Sequence, residues 1–228
     1  GAALSKLAQQ EWCEGCDKPK SVCICDRLEV FKKVKIPVVV LQHPQETRNV
    51  LSTTPLIKKM LPSAEIVTGL SWRSLEHALS KNGTEAVVDP SRWWVLFPKS
   101  ASDETKGAPP LSVSASQNGA LQKGTAEPQG ILVIDGTWSQ AKSLWWRNAW
   151  LLKLARTELV PKEPSIYGSL RKEPRVGAVS SLEAVADALV LAGVDPEVRV
   201  IMRRTLRTLV QRIRDHINPE SRERAAKT

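Results

Sequence analysis

The chain has 228 residues, 42% of them hydrophobic, enough to build the core of one large domain or of a domain with a small appendage. Its formal net charge of +9 favours an anionic partner, and nucleic acid is the commonest such partner of a basic protein. No run of about 18 apolar residues occurs, which argues against a membrane span and a membrane partner.

All four cysteines lie close together near the start of the chain, in the pattern Cys13-x2-Cys16-x6-Cys23-x-Cys25. Two disulfides could close these loops, but loops so short give little stabilisation and strain easily. Four thiolates that reach one point suit tetrahedral zinc, and Pro19 favours a turn that returns the second pair to the first. We predict that residues 1–30 form an element with a structural Zn²⁺, in a reducing compartment such as the cytosol or the nucleus.

Apolar runs alternate with helical patterns along the rest of the chain. The predicted strands are 36–42, 65–68, 92–97, 131–134 and 157–160. The predicted helices are 50–61, 74–81, 139–155, 181–192 and 196–217. This alternation, with strands apolar on both faces, indicates an α/β fold with a mostly parallel sheet flanked by helices. We assign residues 31–218 to this domain.

Residues 100–128 differ from the domain around them in composition. They are rich in Ser, Ala, Gly and Pro, contain no aromatic residue and show no apolar period. We predict a flexible surface insertion that carries no catalytic residue. Residues 219–228 are predicted to form a polar tail.

The stretch GILVIDGTWSQAKSL, residues 130–144, changes abruptly from apolar to polar residues. Asp135, Gly136, Thr137 and Trp138 follow the apolar run 131–134. Because ligand sites in open α/β sheets lie at the carboxyl ends of strands, we expect a site at these residues. A helix N-cap after the strand is the purely structural alternative.

The last predicted helix, 196–217, combines an apolar stripe at helical spacing with six arginines. These are Arg199, Arg203, Arg204, Arg207, Arg212 and Arg214. Since no acid lies between Arg199 and Asp215, we predict a face that contacts RNA phosphates, with Arg203 and Arg207 among the contacts. A solvated face on a docked helix is the alternative.

Two tryptophans of the fourth helical pattern stand beside basic residues. Trp146 and Trp150 accompany Lys142, Arg147 and Lys153. Indoles interleaved with cations can stack on and pair with single-stranded or looped RNA. Burial against another element or a second subunit is the alternative.

Four motifs, in order, resemble the DTW-domain family. They are the cysteine pattern, His43-Pro44-Gln45-Glu46, Asp135-Gly136-Thr137-Trp138, and SIYGSLRKEPRVGAVSSLEAVADAL at 165–189. The resemblance spans roughly Cys13 to Leu189. The chain departs from the family in its insertion at 100–128 and in Val179-Ser180-Ser181, where the family more often has Leu-Ser-Thr.

The resemblance implies an activity and a fold. The family comprises tRNA-uridine aminocarboxypropyltransferases, with a fold similar to the knotted SPOUT methyltransferases. It implies transfer of the 3-amino-3-carboxypropyl group from S-adenosylmethionine to N3 of a tRNA uridine, with release of methylthioadenosine, and a SPOUT-like fold with a C-terminal knot. A SPOUT-like RNA methyltransferase and a non-enzymatic zinc-ribbon RNA-binding protein are the alternatives.

The candidate catalytic residues are Asp135, as a general base or an orienting group for the uridine imide, with Thr137 as a hydrogen-bond donor and Trp138 as a pocket wall. The residues predicted to contact the donor are Leu96, Phe97, Pro98, Asp135, Gly136, Thr137, Trp138, Ser165, Tyr167, Leu170 and Arg171. Residues after the first strand are predicted to border the RNA entrance, namely His43, Glu46 and Arg48. Glu183 is either a further site residue or a capping partner for Ser180.

Overall fold

A parallel β-sheet forms the centre of the protein. The computed structural model describes residues 1–80, 88–98, 113–114, 127–159, 163–171 and 180–227. Its strands are β1 (Trp12–Cys13), β2 (Lys18–Pro19), β3 (Val38–Gln42), β4 (Ala64–Thr68), β5 (Trp93–Pro98), β6 (Val113–Ser114), β7 (Gly130–Asp135) and β8 (Ala155–Leu159). β1 and β2 pair as an antiparallel hairpin, and the others form a sheet in the order β4-β3-β7-β5-β8-β6 in which every neighbouring pair is parallel. The predicted parallel α/β fold is confirmed.

Helices cover both faces of this sheet. They are α1 (Ala2–Ala8), α2 (Thr54–Met60), α3 (Leu75–Leu79), α4 (Trp138–Arg147), α5 (Ser181–Leu191), α6 (Pro196–Ile217) and α7 (Pro219–Ala225). Ile131 and Val133 of β7 face α2, α5 and α6, whereas Leu132 and Ile134 face α3 and α4. Alternate side chains of a strand point to opposite faces, so a strand covered by helices on both sides is apolar throughout.

The cysteine-containing residues 1–30 pack against the sheet domain. Leu7, Val22 and Ile24 are fully buried and belong to the same core cluster as α5 and α6. Arg212 of α6 donates two hydrogen bonds to the carboxylate of Asp26, at 2.7 and 2.8 Å. This element therefore shares its apolar core with the sheet domain.

Several predicted helices are shorter in the structure, and the one predicted at 74–81 covers only Leu75–Leu79. The helix predicted at 139–155 ends at Arg147, because the Asn148 side chain donates to the Leu144 carbonyl (2.7 Å) and accepts from the Trp72 backbone N–H (2.8 Å). A 3-10 turn and β8 follow. The helix predicted at 50–61 begins only at Thr54, with Pro55 in its first turn.

The structure also bears on the predictions for the last long helix, the insertion at 100–128 and the C-terminal residues. The bounds predicted for α6 match the structure. Most of the insertion predicted at 100–128 lies outside the described residues. Residues 219–228, predicted as a polar tail, include helix α7. None of the helices in the described ranges is both long and apolar enough to cross a membrane.

Candidate active site at the carboxyl end of β7

Asp135 ends the central strand with a buried side chain that is only partly satisfied. The residue is 2% exposed. Its Oδ1 accepts a hydrogen bond from the Ser181 hydroxyl at 2.6 Å, while Oδ2 has no hydrogen-bond partner among the described residues. Buried polar atoms are nearly always hydrogen-bonded, so an open carboxylate oxygen in this position is available to a ligand.

The neighbouring strand β3 carries a second polar group to the same edge of the sheet. Gln42 lies opposite Asp135 in the parallel register, and the backbone N–H of His43 donates to the Asp135 carbonyl at 3.3 Å. The Gln42 amide donates to Thr54 Oγ1 at 3.0 Å and accepts from the Thr68 hydroxyl at 3.2 Å. These bonds fix the amide, so the edge beside Asp135 is preorganised.

Thr137, not Asp135, caps helix α4. Its hydroxyl oxygen accepts from the Gln140 backbone N–H at 3.3 Å, and the Gln140 side chain accepts from the Thr137 N–H at 2.8 Å. A Cβ on Gly136 would lie 2.9 Å from the Gln140 Cβ, so this cap requires glycine before it. Thr137 therefore has the helix-capping role that the sequence left open for Asp135. Trp138 is half-buried and packs against the core cluster of α3 and α4.

Residues 165–171 form a loop that reaches the segment before α2. The hydroxyl of the fully buried Tyr167 and a guanidinium nitrogen of Arg171 both donate to the Leu51 carbonyl, at 2.5 and 2.6 Å. The Arg171 guanidinium carbon lies 4.0 Å from the Tyr167 ring centre. Ser165 hydrogen-bonds to Glu183, and Leu170 packs against the core from a partly exposed position. The loop thus holds Arg171 in a fixed orientation.

Glu183 has the contacts of a structural cap. It is fully buried and accepts from the backbone N–H groups of Ser180 (2.7 Å) and Ile166 (2.8 Å). The Ser180 hydroxyl in turn accepts from the Glu183 N–H, which completes a capping box. Arg203 lies 3.6 Å from its carboxylate. Of the two roles left open by the sequence, these bonds favour the capping role and a tie to the 165–171 loop.

The predicted donor-contacting residues of β5 lie beside β7, as expected. Leu96 is 4% exposed and pairs with Val133. The backbones of Phe97 and Pro98 continue along β8, and their side chains lie outside the described parts of the structure.

The three residues predicted to border the RNA entrance have different surroundings. His43 Nδ1 accepts from the Gln45 N–H at 3.2 Å and so caps a short turn. Glu46 is 4% exposed and accepts a hydrogen bond from Asn49. Arg48 is exposed, with φ of 59°, and its guanidinium lies 5.4 Å from the Trp12 ring centre. Arg48 is therefore the most exposed member of this group.

The four cysteine sulfurs converge on one point. All four lie within 4.8 Å of one another, with Cys13–Cys25 at 3.6 Å and Cys16–Cys23 at 3.7 Å. Sulfurs about 2.3 Å from a tetrahedral zinc stand about 3.8 Å apart, so the observed spacing fits this metal. The spacing is far from that of a disulfide, about 2 Å. Hydrogen bonds from the backbone of Cys16 and Gly15 lower the pKa of Cys13 to about 7, whereas burial raises the pKa values of Cys16 and Cys25.

Several arginines of α6 have acidic partners elsewhere in the chain. Arg203 is 6% exposed and lies 2.7 Å from Glu163, and Arg199 lies 2.6 Å from Asp187. The premise that no acids compensate these arginines is wrong, because periodicity within one helix does not show what faces it. Arg207 is 54% exposed and 4.0 Å from Glu163, so its guanidinium remains open to solvent.

The sequence left open whether Trp146 and Trp150 stack on RNA or are buried. One of them is buried and the other is exposed. Trp150 is 8% exposed, and its indole N–H donates to the Trp72 carbonyl at 2.9 Å. Trp146 is 66% exposed. Only Trp146 is placed to meet a partner.

Two residues near the site, Ser181 and Lys18, are not evident as site residues from the sequence. Ser181 was recognised only as a helix start, although a second hydroxyl directly after the capping Ser180 was a usable signal. Lys18 is fully buried, and its ammonium donates to backbone carbonyls of residues 50 and 52 at 2.8 and 2.5 Å. Burial lowers the pKa of Lys18 to about 7. No sequence signal marked this lysine.

Comparisons with known proteins agree with the order of motifs. The DTW domain family matches residues 10–214. The tRNA-uridine aminocarboxypropyltransferase A of Arabidopsis thaliana is 28% identical over 90% of this chain and 81% of its own length. The tRNA-uridine aminocarboxypropyltransferase 2 of Drosophila melanogaster is 29% identical over 86% of this chain and 72% of its own length, and that of Mus musculus is 27% identical over 83% and 59%. No solved structure matches the chain. The chain belongs to the DTW domain family.

Proposed function

We propose that this protein is a tRNA-uridine aminocarboxypropyltransferase whose reaction takes place at the carboxyl end of β7. The observation that carries the activity is the family match, with relatives of that name aligned over most of the chain. The open Oδ2 of Asp135 supports the location, because a buried carboxylate oxygen without a partner suits a polar ligand.

Asp135 has the chemistry that this transfer needs. The N3–H of uridine is a poor nucleophile until its proton is removed, and a carboxylate within hydrogen-bond reach can accept that proton. Ser181 holds Oδ1, which leaves Oδ2 to face the imide. In the proposed step the N3 proton passes to Asp135, N3 bonds to the Cγ carbon of the donor's methionine moiety, and the C–S bond breaks to release methylthioadenosine.

The choice of carbon depends on how the donor is held. S-adenosylmethionine has three carbons on its sulfonium, and a methyltransferase presents a different one to the nucleophile. We assign the donor carboxylate to Arg171, whose guanidinium is oriented by Leu51 and Tyr167. The ends of β5 and β7, including Leu96 and Gly136, would supply backbone groups to the adenosine, with Trp138 as a wall.

We also propose that the fold is SPOUT-like, with residues 165–171 forming a crossing loop of a C-terminal knot. The parallel sheet and the contact of the 165–171 loop with Leu51 support this topology. Residues 172–179 lie outside the described residues.

The four cysteines fit structural zinc, and Cys13, Cys16, Cys23 and Cys25 would be its ligands. A site with four protein ligands is closed to substrate, so the metal would stabilise residues 1–30 and not take part in the transfer.

For the tRNA, we propose contacts from exposed cations and from one exposed indole. Arg48 and Arg207 reach solvent, whereas the buried Arg203 pairs with Glu163. Trp146 is exposed on α4 beside Lys142, which has no ion pair among the described residues, so this surface suits base stacking with a nearby phosphate.

The decisive experiment is mass spectrometry of tRNA incubated with the protein and labelled S-adenosylmethionine. We expect the label on a uridine as the aminocarboxypropyl group, with methylthioadenosine as the second product. Adenosylhomocysteine and a labelled methyl group would instead support the methyltransferase. tRNA binding with no transfer at all would support the non-enzymatic RNA-binding protein.

A further inference from the structure

Lys18 occupies an unusual place between the two cysteine pairs. It is the only fully buried lysine among the described residues. Its Nζ donates to the carbonyl oxygens of Val50 (2.8 Å) and Ser52 (2.5 Å) and lies 3.4 Å from that of Asn49. A buried ammonium is costly unless its protons are bound, and here backbone oxygens from one turn converge on it.

The turn that surrounds Lys18 also carries the acceptor for Arg171. The Leu51 carbonyl lies between the two carbonyls that Lys18 holds most closely, and it receives both Arg171 and Tyr167. Fixing the peptide units on either side of Leu51 restricts the direction in which its carbonyl points. By restricting the Leu51 carbonyl, the Lys18 contact also restricts the position of the Arg171 guanidinium that binds it.

The same turn leads directly to the Asp135 site. Thr53 Oγ1 accepts from the backbone N–H of Leu182 at 3.1 Å, one residue after the Ser181 that holds Asp135. Thr54 bonds to Gln42, the residue opposite Asp135 in β3. Residues 49–54 therefore connect the cysteine element, the 165–171 loop and the end of β7.

We propose that Lys18 is a positioning residue for donor binding: by holding the turn at 49–52 it fixes the Leu51 carbonyl and, through it, Arg171. This inference rests on the proposed function in one respect, the assignment of the donor carboxylate to Arg171. It gives the cysteine element a role in the transferase site that metal binding alone does not require.

The test uses the full-length, metal-loaded protein with Lys18→Met, which keeps the length of the side chain and removes the donors. We expect the KM and the calorimetric Kd for S-adenosylmethionine to rise by about 10-fold, since the net contribution of a typical hydrogen bond corresponds to an effect of this size. The KM for tRNA and the metal content should stay unchanged. Backbone amides of residues 49–53 should exchange their hydrogens faster.

Lys20→Met is the matched control. Lys20 belongs to the same element but is exposed and pairs with Glu11 at 2.6 Å, so its loss should change none of these quantities. A second comparison introduces Lys18→Met into Arg171→Met protein. If Lys18 acts through Arg171, it should weaken donor binding little further in that background.

Three results would overturn the proposal: unchanged donor affinity in Lys18→Met, equal weakening with and without Arg171, or a lowered melting temperature as the sole effect. Should Lys18→Met not fold, Lys18→Gln keeps two donors and should show a smaller change of the same kind, and unchanged donor affinity there would contradict the proposal. A wild-type protein that binds no S-adenosylmethionine would refute the proposed function. The amide exchange of 49–53 would still report whether Lys18 orders the turn.

Discussion

The four-cysteine cluster and the Asp135 site differ in how far apart along the sequence their residues lie. The cysteines meet within one short segment, and the spacing of their sulfurs suits a metal. Asp135 depends on Ser181, 46 positions later in the chain, and on the register with β3. The difference shows that a local motif can predict which thiols come together, whereas a strand-end motif predicts only where a candidate site lies and not its partners.

The largest expected effect tests the local site. Cys23→Ser should lose the bound metal, present in wild type at about one equivalent per chain, and should lower the melting temperature sharply, because metal binding contributes directly to folding free energy in such sites. Metal analysis and thermal unfolding measure this. Ser21→Ala, in the same element, should retain both. Metal-free wild-type protein with two intact disulfides would contradict the zinc assignment.

The next effect tests the strand end itself. Asp135→Asn keeps the shape of the side chain but is a far weaker proton acceptor, so transfer to tRNA should slow by roughly 10²–10⁴-fold. Donor affinity and melting temperature should be nearly unchanged. Since Thr137 forms the cap of α4, loss of capping would not explain a slower rate. Full activity in this variant would show that the carboxylate is structural and that the base lies elsewhere.

A smaller effect tests the long-range partner of Asp135. Ser181→Ala removes a hydrogen bond to a charged group, so kcat should fall by about 10-fold, and Ser181→Thr should restore much of it. Ser180→Ala is the matched control: it removes the helix cap and should lower the free energy of unfolding by about 1 kcal/mol. The comparison fails if both alanine variants lose activity and stability to the same extent.

The smallest expected effect is on tRNA binding and tests whether α6 contributes to it. Arg207→Ala should weaken tRNA binding and reduce its salt slope by about one unit, with donor binding untouched. Arg203→Ala should instead destabilise the protein, because it leaves the buried Glu183 without this cation. An unchanged salt slope in Arg207→Ala would show that this arginine is merely solvated.

The sequence predicted those parts of the fold that depend on local pattern. Helix α6 was placed correctly, because its apolar stripe is a local signal, and Asp195 caps it in the structure. The end of α4 was not, because Asn148 stops the helix through contacts with residues 70 and 72, far away in sequence. Periodicity likewise could not show that Glu163 faces Arg203. The position of the candidate site was predictable, and the hydrogen bonds that shape it were not.

The strand order also governs how the chain can assemble. β3 lies early in the sequence, whereas its partner β7 begins only at Gly130. Val38 of β3 pairs with Ile131, about 90 residues later. At synthesis rates of about 5–20 residues per second, the inner edge of β3 therefore waits several seconds on the ribosome without its neighbour. Pairings this distant make folding slow and leave an apolar strand edge open to other chains in the meantime. Protection of β3 during synthesis is thus a requirement that the arrangement of the finished sheet places on the cell.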